Sequence, residues 1–162
     1  MNANYICRAA GAFLLAGMLL ALSQACKTTT VPSGETRYIR SSNQGDLIEV
    51  QARGYGRNER EAIADAEKKA LETLLFTGLT GSPQQYPLVN DPKARQTHSA
   101  YFNKLIEGGE YRSYLTSSNP MASKAEKDKR TGQKTILVTL EINVFALRRE
   151  LEQSNVTRKF GF

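Results

Sequence analysis

Residues Asp46–Gly78 read DLIEVQARGYGRNEREAIADAEKKALETLLFTG, and this stretch decides the fold. Over Asp46–Tyr55, Ile48, Val50 and Ala52 share one side while Glu49, Gln51 and Arg53 share the other. That alternation describes a strand with one buried and one wet face. Gly54-Tyr55-Gly56 then breaks the strand, the glycines permitting a sharp exit. Asn58 is an N-cap residue, and Glu61 three places on completes a capping-box pair. From Glu59 to about Thr77 every residue suits a helix. Ala62, Ala66, Ala70 and Leu74 recur every four residues, and Ile63, Leu71 and Leu75 widen the stripe. Small alanines on the buried side let the helix axis approach a sheet closely, and Gly78 ends it as the C′ residue. The charges Glu59, Glu61, Asp65, Glu67, Lys68 and Lys69 read as a solvated helix face.

Working outward, Thr36–Ser42 reads as a short strand and Asn43-Gln-Gly45 as a turn. Residues 79–92 hold Gly81, Pro83, Pro87, Asn90 and Pro92, an irregular connection long enough either to cover something or to be mobile. Pro92, capped by Asp91, opens a second helix running to about Glu107, with Ala94, Thr97, Tyr101, Phe102, Leu105 and Ile106 inward. Gly108-Gly109 ends it. Glu110–Ser117 reads as a strand by the alternation of Tyr111, Ser113 and Leu115. A loop over 118–132 carries the charged run Lys124-Ala-Glu-Lys-Asp-Lys-Arg130. Thr135–Val144 is the strongest strand, and the charged loop makes an antiparallel hairpin with the preceding strand its natural pairing. Phe145–Gln153 closes the domain as a helix holding Leu147 and Leu151 inward. The order β-β-α-(α)-β-β-α predicts an α+β, two-layer domain: a small antiparallel or mixed sheet with helices on one face.

The amino terminus carries a different signal. Arg8 and the apolar block Ala9–Leu22 have the form of an export signal, too short to span a bilayer. Ser23-Gln-Ala-Cys26 follows, with small residues that suit signal peptidase. Cleavage before Cys26 divides the chain into a signal peptide (1–25), a flexible polar tether (26–35) and one domain (36–162). The thiol of Cys26 is then the site of lipid attachment. Leu22 lies four places before Cys26 and Ser23 takes the position that usually holds leucine, so ordinary secretion competes with lipidation. Lys27 in place of an aspartate favours the outer membrane over the inner one. Removing 1–25 leaves 137 residues with 21 basic and 16 acidic side chains, a formal charge of +5. Cys26 is their sole thiol, so no internal disulfide forms. For an exported chain that charge points away from nucleic acid; it reads first as a mildly basic solvated surface, and otherwise as one for anionic lipid, lipopolysaccharide or acidic cell-wall polymer.

Catalytic motifs are weak. His98 is the sole histidine and falls on the second helix as a structural residue. Gly54-x-Gly56 lacks the third glycine of a dinucleotide fingerprint. The sequence calls for no cofactor, no metal and no enzymatic role. Arg53, Arg57, Lys124, Lys127, Lys129 and Arg130 form a possible binding surface, though Glu126 and Asp128 dilute the run.

Val50-Gln-Ala-Arg-Gly-Tyr-Gly56, with Ala62, Ala66 and Ala70 behind it, resembles the twenty-kilodalton outer-membrane lipoprotein family. It also resembles the related N-terminal domain of the flagellar T-ring assembly protein. Val138–Val144 leading into Leu147–Leu151 is similar to that family's last strand and helix, so the likeness spans roughly residues 45–156. It implies an α+β binding or assembly module of the envelope, without catalytic residues. Together these readings describe a lipid-anchored outer-membrane protein of the periplasmic face or cell surface, with an envelope protein as partner. The alternative is a secreted or anchored binding module for cell-wall polymer or acidic glycan.

Overall fold

The computed structural model describes residues 36–157. Strands β1 (Thr36–Ser42), β2 (Leu47–Gly56), β3 (Leu115–Pro120), β4 (Glu126–Lys127) and β5 (Lys134–Asn143) form one antiparallel sheet. Its order is β1-β2-β5-β3, and β4 pairs with β5 beyond the end of β3. The fold is α+β, as the element order requires.

The alternating residues behave as their chemistry dictates. Ile48, Val50 and Ala52 of β2, with Ile136, Val138, Leu140 and Ile142 of β5, are buried. Their neighbours Glu49, Gln51, Leu137, Thr139 and Glu141 on the opposite face are half-buried, and Arg53 is exposed. Helix α1 (Glu59–Phe76) covers the buried face with Ala62, Ala66, Ala70, Leu71, Leu74 and Leu75. Asn58 caps it: its Oδ1 accepts from the Glu61 amide at 3.0 Å, while the Glu61 carboxylate accepts from the Arg57 amide at 3.0 Å. Helix α4 (Val144–Gln153) seats Leu147 and Leu151 in the same core, and Asn143 Oδ1 caps it at 2.8 Å from the Ala146 amide.

Gly54-x-Gly56 does not break the strand, since β2 runs through Gly56. Both glycines have ordinary backbone angles, so no sharp exit explains them. A Cβ at Gly54 would lie 1.8 Å from the Ala62 carbonyl oxygen and 2.5 Å from the Ala66 nitrogen; one at Gly56 would lie 2.6 Å from the Ala62 nitrogen. These glycines let the helix backbone rest directly on the strand. The Tyr55 amide locks the contact by donating to Asp65 Oδ2 at 2.8 Å.

The 79–92 connection covers the end of α1. The Leu88 and Val89 amides donate to the Leu74 and Leu75 carbonyls at 3.0 and 2.9 Å, and Leu79, Leu88 and Val89 are buried. The single helix expected over 92–107 is instead three pieces: α2 (Ala94–Thr97), α3 (Ser99–Phe102) and a wide π turn over Asn103–Glu107. Pro92 is not at N1 and Asp91 does not cap the helix: α2 begins at Ala94 behind Lys93 without a side-chain cap, and Asp91 Oδ1 accepts from the Lys93 amide at 2.9 Å in the turn that precedes it. The break falls at His98. Thr97 is exposed, not inward, so no apolar residue anchors the stretch between Ala94 and Tyr101, and Thr, His and Ser are poor helix formers. Phe102, Leu105 and Ile106 are buried as expected.

The strand expected over 110–117 is also corrected. Glu110–Tyr114 is a 3-10 turn entered through Gly109 at φ +82°, and β3 begins at Leu115. Ser113 turns its hydroxyl back onto the Glu110 carbonyl at 2.6 Å, a local bond that competes with a strand ladder. The antiparallel pairing of this segment with β5 is present, displaced toward the chain's end.

Candidate functional site

Sheet register brings the predicted basic residues to one end of the sheet. Arg53 stands opposite Leu137, Gly56 opposite Lys134, and Lys134 in turn opposite Lys127. Arg53 and Lys124 line one open cleft of about 250 Å³, together with Glu126, Thr135, Leu137 and the 60 % exposed Met121. Beyond it the hairpin tip folds on Asp128. Its Oδ1 accepts from the Arg130 and Thr131 amides at 2.8 and 3.3 Å, and its own amide donates to Gln133 at 2.8 Å. The bond from the Arg130 amide holds the Asp128 carboxyl below the usual carboxylate range. Gly132 at φ +73° completes the turn and leaves Lys129 and Arg130 exposed at the extremity.

The predicted residues are not equivalent. Arg57 is engaged by Glu61, with Nε to Oε2 at 3.1 Å and Nη2 to Oε1 at 3.0 Å. That hydrogen bond lowers the carboxyl pKa of Glu61 and raises that of the guanidinium. Among the described residues, Arg53, Lys124, Lys127, Lys129, Arg130 and Lys134 form no ion pair. Lys134 was not singled out from the sequence. Its place opposite Lys127 becomes visible once the β4–β5 register is known. Cys26 lies outside the described residues.

A second cluster centres on Glu67, which is buried in α1 rather than solvated. It accepts from the Tyr111 hydroxyl at 2.9 Å, the Ser118 hydroxyl at 2.7 Å and Arg112 Nε at 3.3 Å. Burial, reinforced by the hydrogen bond to Glu67, pushes the Tyr111 hydroxyl up to about 12. The carboxylate ties α1, the 3-10 turn and β3 together, and three donors satisfy it in place of water. Sequence spacing held a signal for this: Glu67 lies four residues after Ile63 and four before Leu71, on the apolar stripe. His98 sits half-buried at the helix break.

Among the described residues no group of three or more His, Cys, Asp or Glu side chains could hold a metal ion. No helix among them is long and apolar enough to cross a membrane. No protein-family model, curated protein or solved structure matches the chain.

Proposed function

We propose that this is a non-enzymatic, lipid-anchored envelope protein, held at the outer membrane through Cys26 and acting as a protein-interaction or assembly module. What carries the reading is the one-sided sheet. Every helix of the described residues that meets the sheet seats its apolar side chains in one core, and the face bearing Glu49, Gln51, Arg53, Thr139 and Glu141 is left open. Such a face, rigid and fringed with charge, suits contact with another protein. The export signal, the polar tether and the resemblance of Val50–Gly56 and Val138–Leu151 to envelope lipoproteins point the same way.

Two measurements test it. Growth with a clickable fatty acid labels the wild-type protein and not Cys26→Ala; absence of label on the wild type removes the anchor. A photo-crosslinking residue placed at Thr139, on the open face, captures an envelope protein in cells, whereas one at the exposed Arg60 of α1 does not. Capture from Arg60 alone would sink the assignment of the surface.

A further inference from the structure

We infer that the basic end of the sheet is a docking surface for an anionic phospholipid bilayer, so that the domain lies against the membrane instead of swinging freely on its tether. This rests on the proposed anchor for its orientation.

Charge distribution is the first observation. Residues 36–157 carry 18 basic and 15 acidic side chains. Setting aside Arg53 and the segment 124–134, which hold six basic and two acidic groups, leaves twelve and thirteen. The positive balance of the described domain is therefore wholly the property of this end. The six cations have no acidic partner within ion-pair distance among the described residues, and Lys127 faces Lys134 directly across the ladder. Like charges in that position oppose strand pairing, and an external anion relieves them.

Topology is the second. Thr36, the first described residue, stands opposite Ala52, and Ala52 opposite Val138, one step from the Arg53–Leu137 pair. The chain thus enters the domain at the basic end. Cys26 is ten residues upstream, a reach of at most about 36 Å. An acyl group on Cys26 would hold the domain by the side of the sheet at which β1 begins. The opposite end of the open face carries Glu49 directly across from Glu141, with Arg40 paired to Glu49 alone. A negative membrane therefore attracts one end and not the other.

The shape of the site selects among anions. Lys129 and Arg130 cap a projecting hairpin and Lys127 and Lys134 flank it, so the charges meet a plane better than they enclose a strand of polymer. Met121 lies beside Arg53 and Lys124 with its sulfur accepting from Gln51 Nε2 at 2.6 Å, and adds apolar surface to the cleft that a headgroup region would meet. Tyr55, the aromatic at this end, has the Lys69 ammonium 4.8 Å from its ring centre and is not free to stack on a base or a sugar. A single acyl chain binds membranes reversibly, and a basic patch is the second contact that makes residence stable.

The test uses the protein purified from the envelope of producing cells, mixed with vesicles of phosphatidylcholine or of phosphatidylcholine and phosphatidylglycerol. Flotation with neutral vesicles reads the anchor. Amide hydrogen exchange at 124–134 reads the basic end. Each Lys or Arg near an anionic surface strengthens association about fivefold, so exchange there slows roughly tenfold or more on phosphatidylglycerol vesicles. It stays unchanged on neutral ones, and high salt restores the fast rate. The variant Lys127→Glu/Lys129→Glu/Lys134→Glu, with an unchanged circular dichroism spectrum, floats with neutral vesicles as wild type does and loses the slowing. Equal exchange on both vesicle types, or slowing that survives the triple variant, overturns the proposal. Slowing by purified cell wall with none on phosphatidylglycerol overturns it in favour of a polymer ligand. Failure to float with neutral vesicles, with the slowing intact, removes the anchor and leaves the basic end standing.

Discussion

Replacing Gly54 by alanine adds one methyl group to a buried strand, and the packing makes that methyl costly. The added Cβ would stand 1.8 Å from the Ala62 carbonyl oxygen, and real Cβ atoms do not approach within 3.0 Å. Both neighbours are helix backbone, so no rotamer change relieves the overlap. Helix α1 must retreat by about 1.2 Å, or β2 must bend away from β5. A gap of 0.5–1 Å already forfeits a quarter to a half of a dispersion contact. Leu71, Leu74 and Leu75 of α1 each contribute about 1.5–3 kcal/mol by burial, and Ala62, Ala66 and Ala70 add to that. Losing a quarter to a half of that contact costs about 3 kcal/mol, the upper end of ordinary overpacking penalties. For a domain of this size that lowers Tm by roughly 10 °C. Thermal and urea unfolding followed by circular dichroism measure it, with Gly81→Ala as the companion. Gly81 has φ +79° and open space around its Cβ, so alanine there costs only the backbone strain of about 1 kcal/mol. Gly54→Ala within 1 kcal/mol of wild type, or less harmful than Gly81→Ala, would refute the direct seating of helix on strand.

Glu67→Ala strands the buried Tyr111 hydroxyl, takes the acceptor from the half-buried Ser118 hydroxyl and costs about 3 kcal/mol, whereas Glu67→Gln keeps one acceptor and costs about half as much. Adding Tyr111→Phe to Glu67→Ala costs less than the sum of the two single changes, and strict additivity in a urea double-mutant cycle would argue against the network. Tyr101 and Tyr111 titrate at about 12 in place of 10, mainly because burial disfavours the phenolate. Since these folded-state values are raised, their contribution to stability is full below pH 10 and is lost as pH climbs through about 12. Absorbance titration at 295 nm checks the late pair, and Tyr111→Phe removes one of them. Lys127→Glu turns the Lys127–Lys134 repulsion into attraction and stabilises the fold by about 0.5 kcal/mol, read from the urea midpoint. Loss of stability on that change would mean that the two ammonium groups do not oppose one another.

The parts legible in the sequence are those where one periodicity governs a long segment. The alternation in β2 and β5 and the four-residue spacing in α1 placed their ends within a residue or two. Asn58 and Gly78 act as cap and stop. What escaped depended on partners distant in the chain. Tyr111, Ser113 and Leu115 alternate like a strand, yet Ser113 is exposed, Leu115 is half-buried, and Tyr111 alone is fully buried with its hydroxyl donating to Glu67 on α1. Glu67 looked solvated because charged neighbours surround it, and its partners lie 44 to 51 residues further on. Gly54-x-Gly56 reads in sequence as a strand break, whereas it serves close approach to a helix, which leaves no local mark. Of the basic site, the grouping of Arg53 with the 124–130 run is legible in sequence, while the place of Lys134 opposite Lys127 comes only with the register.

The central ladder of the sheet joins Leu47 to Asn143 and Gly56 to Lys134. Every link in it spans some eighty to a hundred residues, so closure must await nearly the whole chain. A chain emerging amino terminus first holds β1, β2 and α1 as a hairpin and a loose helix with half a core. Neither β3 nor β4 has anything to pair with until β5 arrives. Order of synthesis thus works as a timer: the sheet cannot close until Lys134–Asn143 has been made, because β2, β3 and β4 all take β5 as a partner.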